Sequence, residues 1–292
     1  MNNFAVGLYA KYGGVPWRIR DPRFSNIMVL GISFHFIRPS RFDAPERTIF
    51  GFSEIVDEFG HHVAMAVNPV TFKTENFKEF YNHKSLFMPK ELIRSLVRAS
   101  IEKYKSKTND IVPRKIVFHK TSFYHKDEVQ GIIEGMKDAG FKGEYALIHL
   151  QNETGYKSYR TDDYKSMRGL FLRPNIKNPF GVLWTSGVIP GKFWKEGEWR
   201  YWEKGGVRIG TASPIGISVH RESNIKEINL DFLAEQVLAL TKMRYNNLEP
   251  SVREPVSTYF ARCGGKFMSS IWNRHNKEID LLMENLDSRF FL

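Results

Sequence analysis

The sequence predicts an α/β fold in which a mixed central sheet is flanked by helices. Apolar strand-like runs alternate with amphipathic helical runs through the first half of the chain. The 292 residues are 42% hydrophobic and 14% aromatic, enough apolar material for a sizeable core. Charged residues, 26% of the chain, are well mixed, and neither a low-complexity tract nor an internal repeat interrupts the pattern.

The elements follow in order. "NIMVLGISFHF" (26–36) reads as a buried strand. "RTIFGFSEIV" (47–56) and "HHVAMAV" (61–67), joined by the turn-like "DEFG", read as antiparallel neighbours. In "PKELIRSLVRASIEKYKSK" (89–107), Leu92, Ile93, Leu96, Val97 and Ile101 fall on one helical face, and Pro89 suits a first turn. "RKIVFHK" (114–120) is a strand, "KDEVQGIIEGMKDAG" (126–140) a helix ending at Gly140, and "EYALIHL" (144–150) a further strand. Three strands, helix, strand, helix, strand is the order of an RNase H-like core. Residues 151–220 are richer in turns, and 184–202 is rich in tryptophan. That stretch reads as a folded hairpin with aromatic pairs, a partner surface or a stacking platform for bases. Three helices are expected near 229–244, 253–270 and 276–288. No Pro/Gly/Ser linker divides the chain, so it reads as one domain.

A net charge of +11 and a pI near 9.5 favour a polyanionic partner, nucleic acid before membrane. No apolar run approaches the ~20 residues that span a bilayer. The N-terminus has no basic region followed by an apolar one, so no secretory signal is expected. Cys263 is the only cysteine, which excludes an intrachain disulfide and a Cys-rich zinc site and makes the cytoplasm the expected compartment.

Four segments resemble the PIWI domain of prokaryotic, archaeal-type Argonaute proteins, short or split. "AKYGGVPW" (10–17) resembles the K-x-G-G-x-P-W segment at the entry to PIWI. "IMVLGIS" (27–33) sits at the position of the first catalytic strand, and "YALIHLQNET" (145–154) is similar to a mid-domain strand. "LALTKMRYNN…REPVSTYFAR" (238–262) resembles the closing helices. The resemblance implies a PIWI domain over 1–292: a residual junction with the preceding MID domain at 1–20, the RNase H-like core at 26–150, and the remainder of PIWI at 151–292.

It also implies a function, the binding of a short 5′-phosphorylated guide strand that recognises a complementary target. By resemblance, Lys11 and Lys266 bind the guide's 5′-phosphate, and Lys242, Arg244, Tyr259 and Arg262 contact its backbone. The apolar ending "SRFFL" is expected to tuck into the core. The Leu292 carboxylate would then hold a divalent ion, Mg²⁺ or Mn²⁺, against the phosphate. Gly13 and Gly14 would turn the chain after the helix bearing Lys11, and Pro16 would set its exit.

A slicing PIWI domain holds two metal ions on carboxylates. Here Ser33, Thr121 and Arg262 occupy three of the expected carboxylate or histidine positions, and hydroxyls and a guanidinium cannot hold hard cations. The expectation is therefore a catalytically inactive module, associated in this family with prokaryotic defence alongside an effector. Two alternatives stand beside it: a metal-dependent RNase H-like nuclease using other carboxylates, and a PIWI-like scaffold subunit for an effector. His119, Asp127 and Glu128 could form a hydrolytic group, but no nucleophile at a strained turn accompanies them. His61 and His62 would point to opposite faces of a strand. Only ten residues precede Lys11, so a partner chain or further region is expected to supply the MID and N-terminal domains.

Overall fold

The computed structural model describes residues 2–36, 46–73, 87–161, 165–195, 198–205, 212–225, 229–245, 252–272 and 287. In chain order the elements are α1 (Asn2–Lys11), β1 (Ile27–Phe36), β2 (Glu46–Val56), β3 (His62–Lys73), α2 (Lys90–Lys107), β4 (Lys115–Lys120), α3 (Lys126–Asp138) and β5 (Glu144–Gln151). They continue with β6 (Phe171–Leu172), β7 (Phe180–Leu183), β8 (Val188–Lys195), β9 (Glu198–Gly205), β10 (Ile215–Val219), α4 (Leu230–Leu240) and α5 (Val256–Trp272). The chain divides into two compact units. The first comprises Met1–Trp17, Leu150–Val219 and Glu227–Val256, the second Arg18–His149, His220–Lys226 and Ser257–Leu292.

In the second unit the strands run in the order β3-β2-β1-β4-β5. β1 is antiparallel to β2, and β2 to β3, while β1, β4 and β5 are parallel. This is the RNase H-like arrangement that the element order predicts. Strand alternation gives the sheet two apolar faces. Met28, Leu30 and Ile32 of β1 pack with Leu92, Leu96 and Ile101 of α2 and Ile132 and Met136 of α3. α2 and α3 approach closely because Gly131 and Gly135 face α2 backbone. A Cβ on either would lie 2.5–2.6 Å from a carbonyl oxygen of α2, that of Lys90 or Arg94.

The opposite sheet face carries α5. Gly31 lies under its first turn, where a Cβ would stand 2.0 Å from the Ser257 carbonyl oxygen. Gly264 packs on Phe52 and Met65, and Gly265 on His35. The fold thus needs small residues on both partners to bring α5 down onto β1 and β2.

β3 continues to Lys73, beyond the expected end at 67. The strand passes through Pro69 because β3 is the edge strand of the described sheet, where a residue without an N–H is tolerated. The first unit holds the antiparallel strands β10-β7-β6 and a separate hairpin, β8-β9. The hairpin takes up most of the tryptophan-rich stretch, with Trp194 opposite Trp199. Trp184 lies outside the hairpin, buried with Val182 and Ala212. The helix expected at 276–288 lies outside the described residues.

Candidate nucleic-acid interface

The K-x-G-G-x-P-W segment folds as a helix end and a pinned exit. α1 closes at Lys11, which is exposed. The Gly13 N–H donates to the Ala10 carbonyl, and the Gly14 N–H reaches back to Tyr9. Gly13 has φ +86°, the left-handed conformation that a glycine supplies without steric cost. Gly14 is needed for a different reason: the Tyr9 ring lies against it, and a Cβ would stand 2.3 Å from that ring. Trp17 then fixes the exit. Its indole N–H donates to the Lys242 carbonyl at 2.7 Å, its ring meets Tyr245 edge-on at 5.1 Å, and its own carbonyl accepts the Tyr245 hydroxyl. Trp17 therefore ties the lysine-bearing segment to the segment that carries Lys242 and Arg244.

Those two residues are not on a helix, as their place in 229–244 implied. α4 stops at Leu240. Thr241 ends it, its hydroxyl turned back to the Leu238 carbonyl at 2.6 Å. The Arg168 guanidinium then donates to the Thr241 hydroxyl and to the Leu238 carbonyl, a cation at a helix C-terminus. Burial pulls the Arg168 pKa down to about 10. Sequence reasoning missed this residue, because nothing in "SMRGL" marks an arginine that caps a helix some seventy positions away.

Tyr259, Arg262 and Lys266 recur at helical spacing along one face of α5, away from the buried Phe260, Ala261 and Gly264. The Arg262 guanidinium lies over the Tyr259 ring at 5.4 Å, and Lys266 is exposed. Lys11, Lys242 and Arg244 belong to one compact unit, and Tyr259, Arg262 and Lys266 to the other. Leu292 lies outside the described residues.

The expected slicer positions on the sheet can be placed. β1 and β4 pair with Gly31 beside His119 and Ile32 beside Lys120. The pairing ends there: Ser33 is still in β1, while Thr121 is the first residue after β4. Ser33 shares the α5-facing side of β1 with Gly31 and His35. Both residues carry neutral hydroxyls, and the α5 residue in question, Arg262, is a cation. This set does not fit a pair of divalent ions.

The polar groups beside these positions are committed elsewhere. His119 is fully buried, with Nδ1 2.9 Å from the Ser257 hydroxyl, and burial pushes its pKa down to about 3. Glu128 is buried too. It holds Lys120 at 2.7–2.8 Å and accepts the N–H groups of Met88 and His125. Lys120 and Glu128 therefore form an internal ion pair. Burial lowers the Lys120 pKa against the pull of Glu128. Asp127 sits in the first turn of α3, next to the His125 cap. His62 bonds the buried Glu54 at 2.6 Å, while His61 lies by Asp57 at 3.3 Å.

No protein-family model matches the sequence, and no curated protein matches it. Solved structures do. Aa-Ago, in a crystal structure with externally bound siRNA, superposes with a TM-score of 0.62 at 19% identity, over 91% of this chain and 31% of that one. A structure of Aquifex aeolicus Argonaute matches with a TM-score of 0.57 at 15% identity, over 91% of this chain and 32% of that one. The chain thus spans about a third of the length of the Argonautes it matches. Among the described residues no helix is long and apolar enough to cross a membrane. With its β3-β2-β1-β4-β5 sheet and α5 laid on β1, the chain has the RNase H-like fold of an Argonaute PIWI domain.

Proposed function

We propose that this chain is a nucleic-acid-binding Argonaute module that holds a short 5′-phosphorylated guide and pairs it with a complementary target without cutting. The observation that carries the reading is the pinned Lys11 segment. Trp17 holds a helix end bearing an exposed lysine against the stretch that carries Lys242 and Arg244, so three cations sit on connected backbone. A lysine ammonium is a compact charge suited to a terminal phosphate. The net charge of +11 supplies the long-range attraction. The Aa-Ago structure with externally bound siRNA adds to this support.

In this reading Lys11 and Lys266 bind the 5′-phosphate, with Lys242, Arg244, Tyr259 and Arg262 along the guide backbone. The Leu292 carboxylate holds a divalent ion, Mg²⁺ or Mn²⁺, whose charge adds to phosphate binding and takes no part in chemistry. Ser33, Thr121 and Arg262 leave the former slicer position without anionic metal ligands. Base pairing reads the sequence, and the protein reads the backbone. A partner chain or further region supplies the MID and N-terminal parts, and an effector acts with the module in cytoplasmic defence.

The test compares 5′-phosphorylated and 5′-hydroxyl strands in binding titrations of wild type and Lys11→Ala, run on the full chain and again with whatever supplies the MID half. Loss of one charge-assisted contact costs ~1.5–3 kcal/mol, roughly 10- to 100-fold in affinity. That loss is expected for the phosphorylated strand and not for the hydroxyl strand. EDTA, or residues added after Leu292, should reproduce it. Equal weakening of both strands would remove 5′-phosphate recognition from this segment.

A further inference from the structure

Arg18 and Arg20 follow the Pro16-Trp17 step and flank Ile19, whose N–H donates to the Phe59 carbonyl at 2.9 Å. That bond lays residues 18–20 beside the β2–β3 turn. Between the two segments opens a cavity of about 570 Å³, lined in part by Arg18, Arg20, Asp21, Ser25, Glu58 and Phe59. Its volume is that of a small-ligand site and too small for a duplex.

The charges in this cavity are unequally committed. Both oxygens of Asp21 are held by Arg23, at 2.6–3.1 Å, and its pKa falls below the usual carboxylate range through that hydrogen bond. Glu58 accepts the main-chain N–H of Asn26. Arg18 and Arg20 are exposed, and among the described residues neither guanidinium has a carboxylate partner. The Arg18 guanidinium stands over the Phe59 ring at 5.5 Å, so a planar cation and a half-exposed ring form one surface. Arg114, also exposed, is bonded through its N–H to the Asn26 carbonyl, which adds a third cation at this end of the sheet.

Two guanidiniums with no carboxylate partner among the described residues, beside an aromatic ring, match one nucleotide of a single strand: phosphate oxygens to the forks, base against the ring. The cavity lies at the start of β1, while Ser33 is six residues along it, ~20 Å away at the usual rise per residue. We propose that the Arg18–Arg20–Phe59 cavity is a second nucleic-acid contact, one that takes a nucleotide of single-stranded DNA or RNA independently of its 5′ end. The proposal rests on the reading that the chain binds nucleic acid.

The experiment uses the full chain and a fluorescent 5′-hydroxyl oligonucleotide, titrated from 50 to 200 mM salt. Each phosphate neutralised on a single strand contributes ~0.7 to the slope of log affinity against log salt. Arg18→Ala/Arg20→Ala should make the slope shallower by ~1.4 and weaken binding roughly tenfold or more at low salt. Arg18→Lys/Arg20→Lys should keep the slope, and Phe59→Ala should weaken binding with the slope unchanged. All three positions are solvent-accessible, and matched thermal melts check that the variants fold. Salt-dependent binding by wild type with the same slope in the double alanine variant overturns the cavity and leaves the broader reading standing. Salt-independent binding or none by wild type overturns both.

Discussion

Lys120 stands in a basic run of the sequence, and the fold pairs it with Glu128. A run such as "FHKTSFYHK" looks basic because its partner, eight residues on, is invisible until α3 returns to the sheet. His119, its neighbour, faces the other way, toward α5, and alternation along β4 separates the two. Because His119 is buried and neutral, its pKa of about 3 lies below that of the unfolded chain, near 6.5. The unfolded state therefore binds the extra proton first as pH falls. The stability that neutral His119 contributes is fully present above pH 6.5 and is lost toward pH 3, at ~1.4 kcal/mol per pH unit. Denaturant melts across that window should show a shallower pH dependence for His119→Gln than for wild type. Equal slopes would mean that His119 is hydrated in the folded protein.

Elements were the most legible level of the sequence, and the reasons are local. β1, β2, α2, β4, α3 and β5 fall within two residues of their expected bounds, because each carries its own apolar period and its own stop signal. The exceptions depend on distant chain. β3 runs on through Pro69 because its outer edge has no partner strand among the described residues, and α4 ends early because Thr241 and Arg168 close it. α5 illustrates the same dependence. Its seat on β1 requires Gly31, a residue that reads in sequence only as one more strand position. Gly31→Ala would drive a Cβ into the Ser257 carbonyl. The expected cost is ~1–3 kcal/mol, the usual range for overpacking. A thermal melt would register it, and a spectroscopic probe on α5 should move with it. An unchanged melting temperature would mean that α5 can lift from the sheet freely.

At the scale of the whole molecule, the charge and the fold point the same way. The net charge of +11 favours a polyanionic partner, and the proposed reading joins that charge to a fold shared with part of an Argonaute. The helix end at Lys11 and its glycine turn were legible because they lie in one short contiguous stretch. The Arg18–Arg20–Phe59 cavity was not, because it forms only when residues 18–20 meet a turn some forty positions later. The central claim is that strands are held and left whole, and one incubation reads both halves of it. A 5′-phosphorylated guide, a complementary labelled target and Mg²⁺ or Mn²⁺ are mixed with the full chain, together with whatever supplies the MID half, and resolved on native and denaturing gels. The account predicts a guide-dependent shift of the target with its length unchanged. A product cut opposite the middle of the guide, and lost when a carboxylate of the chain is replaced, would contradict it.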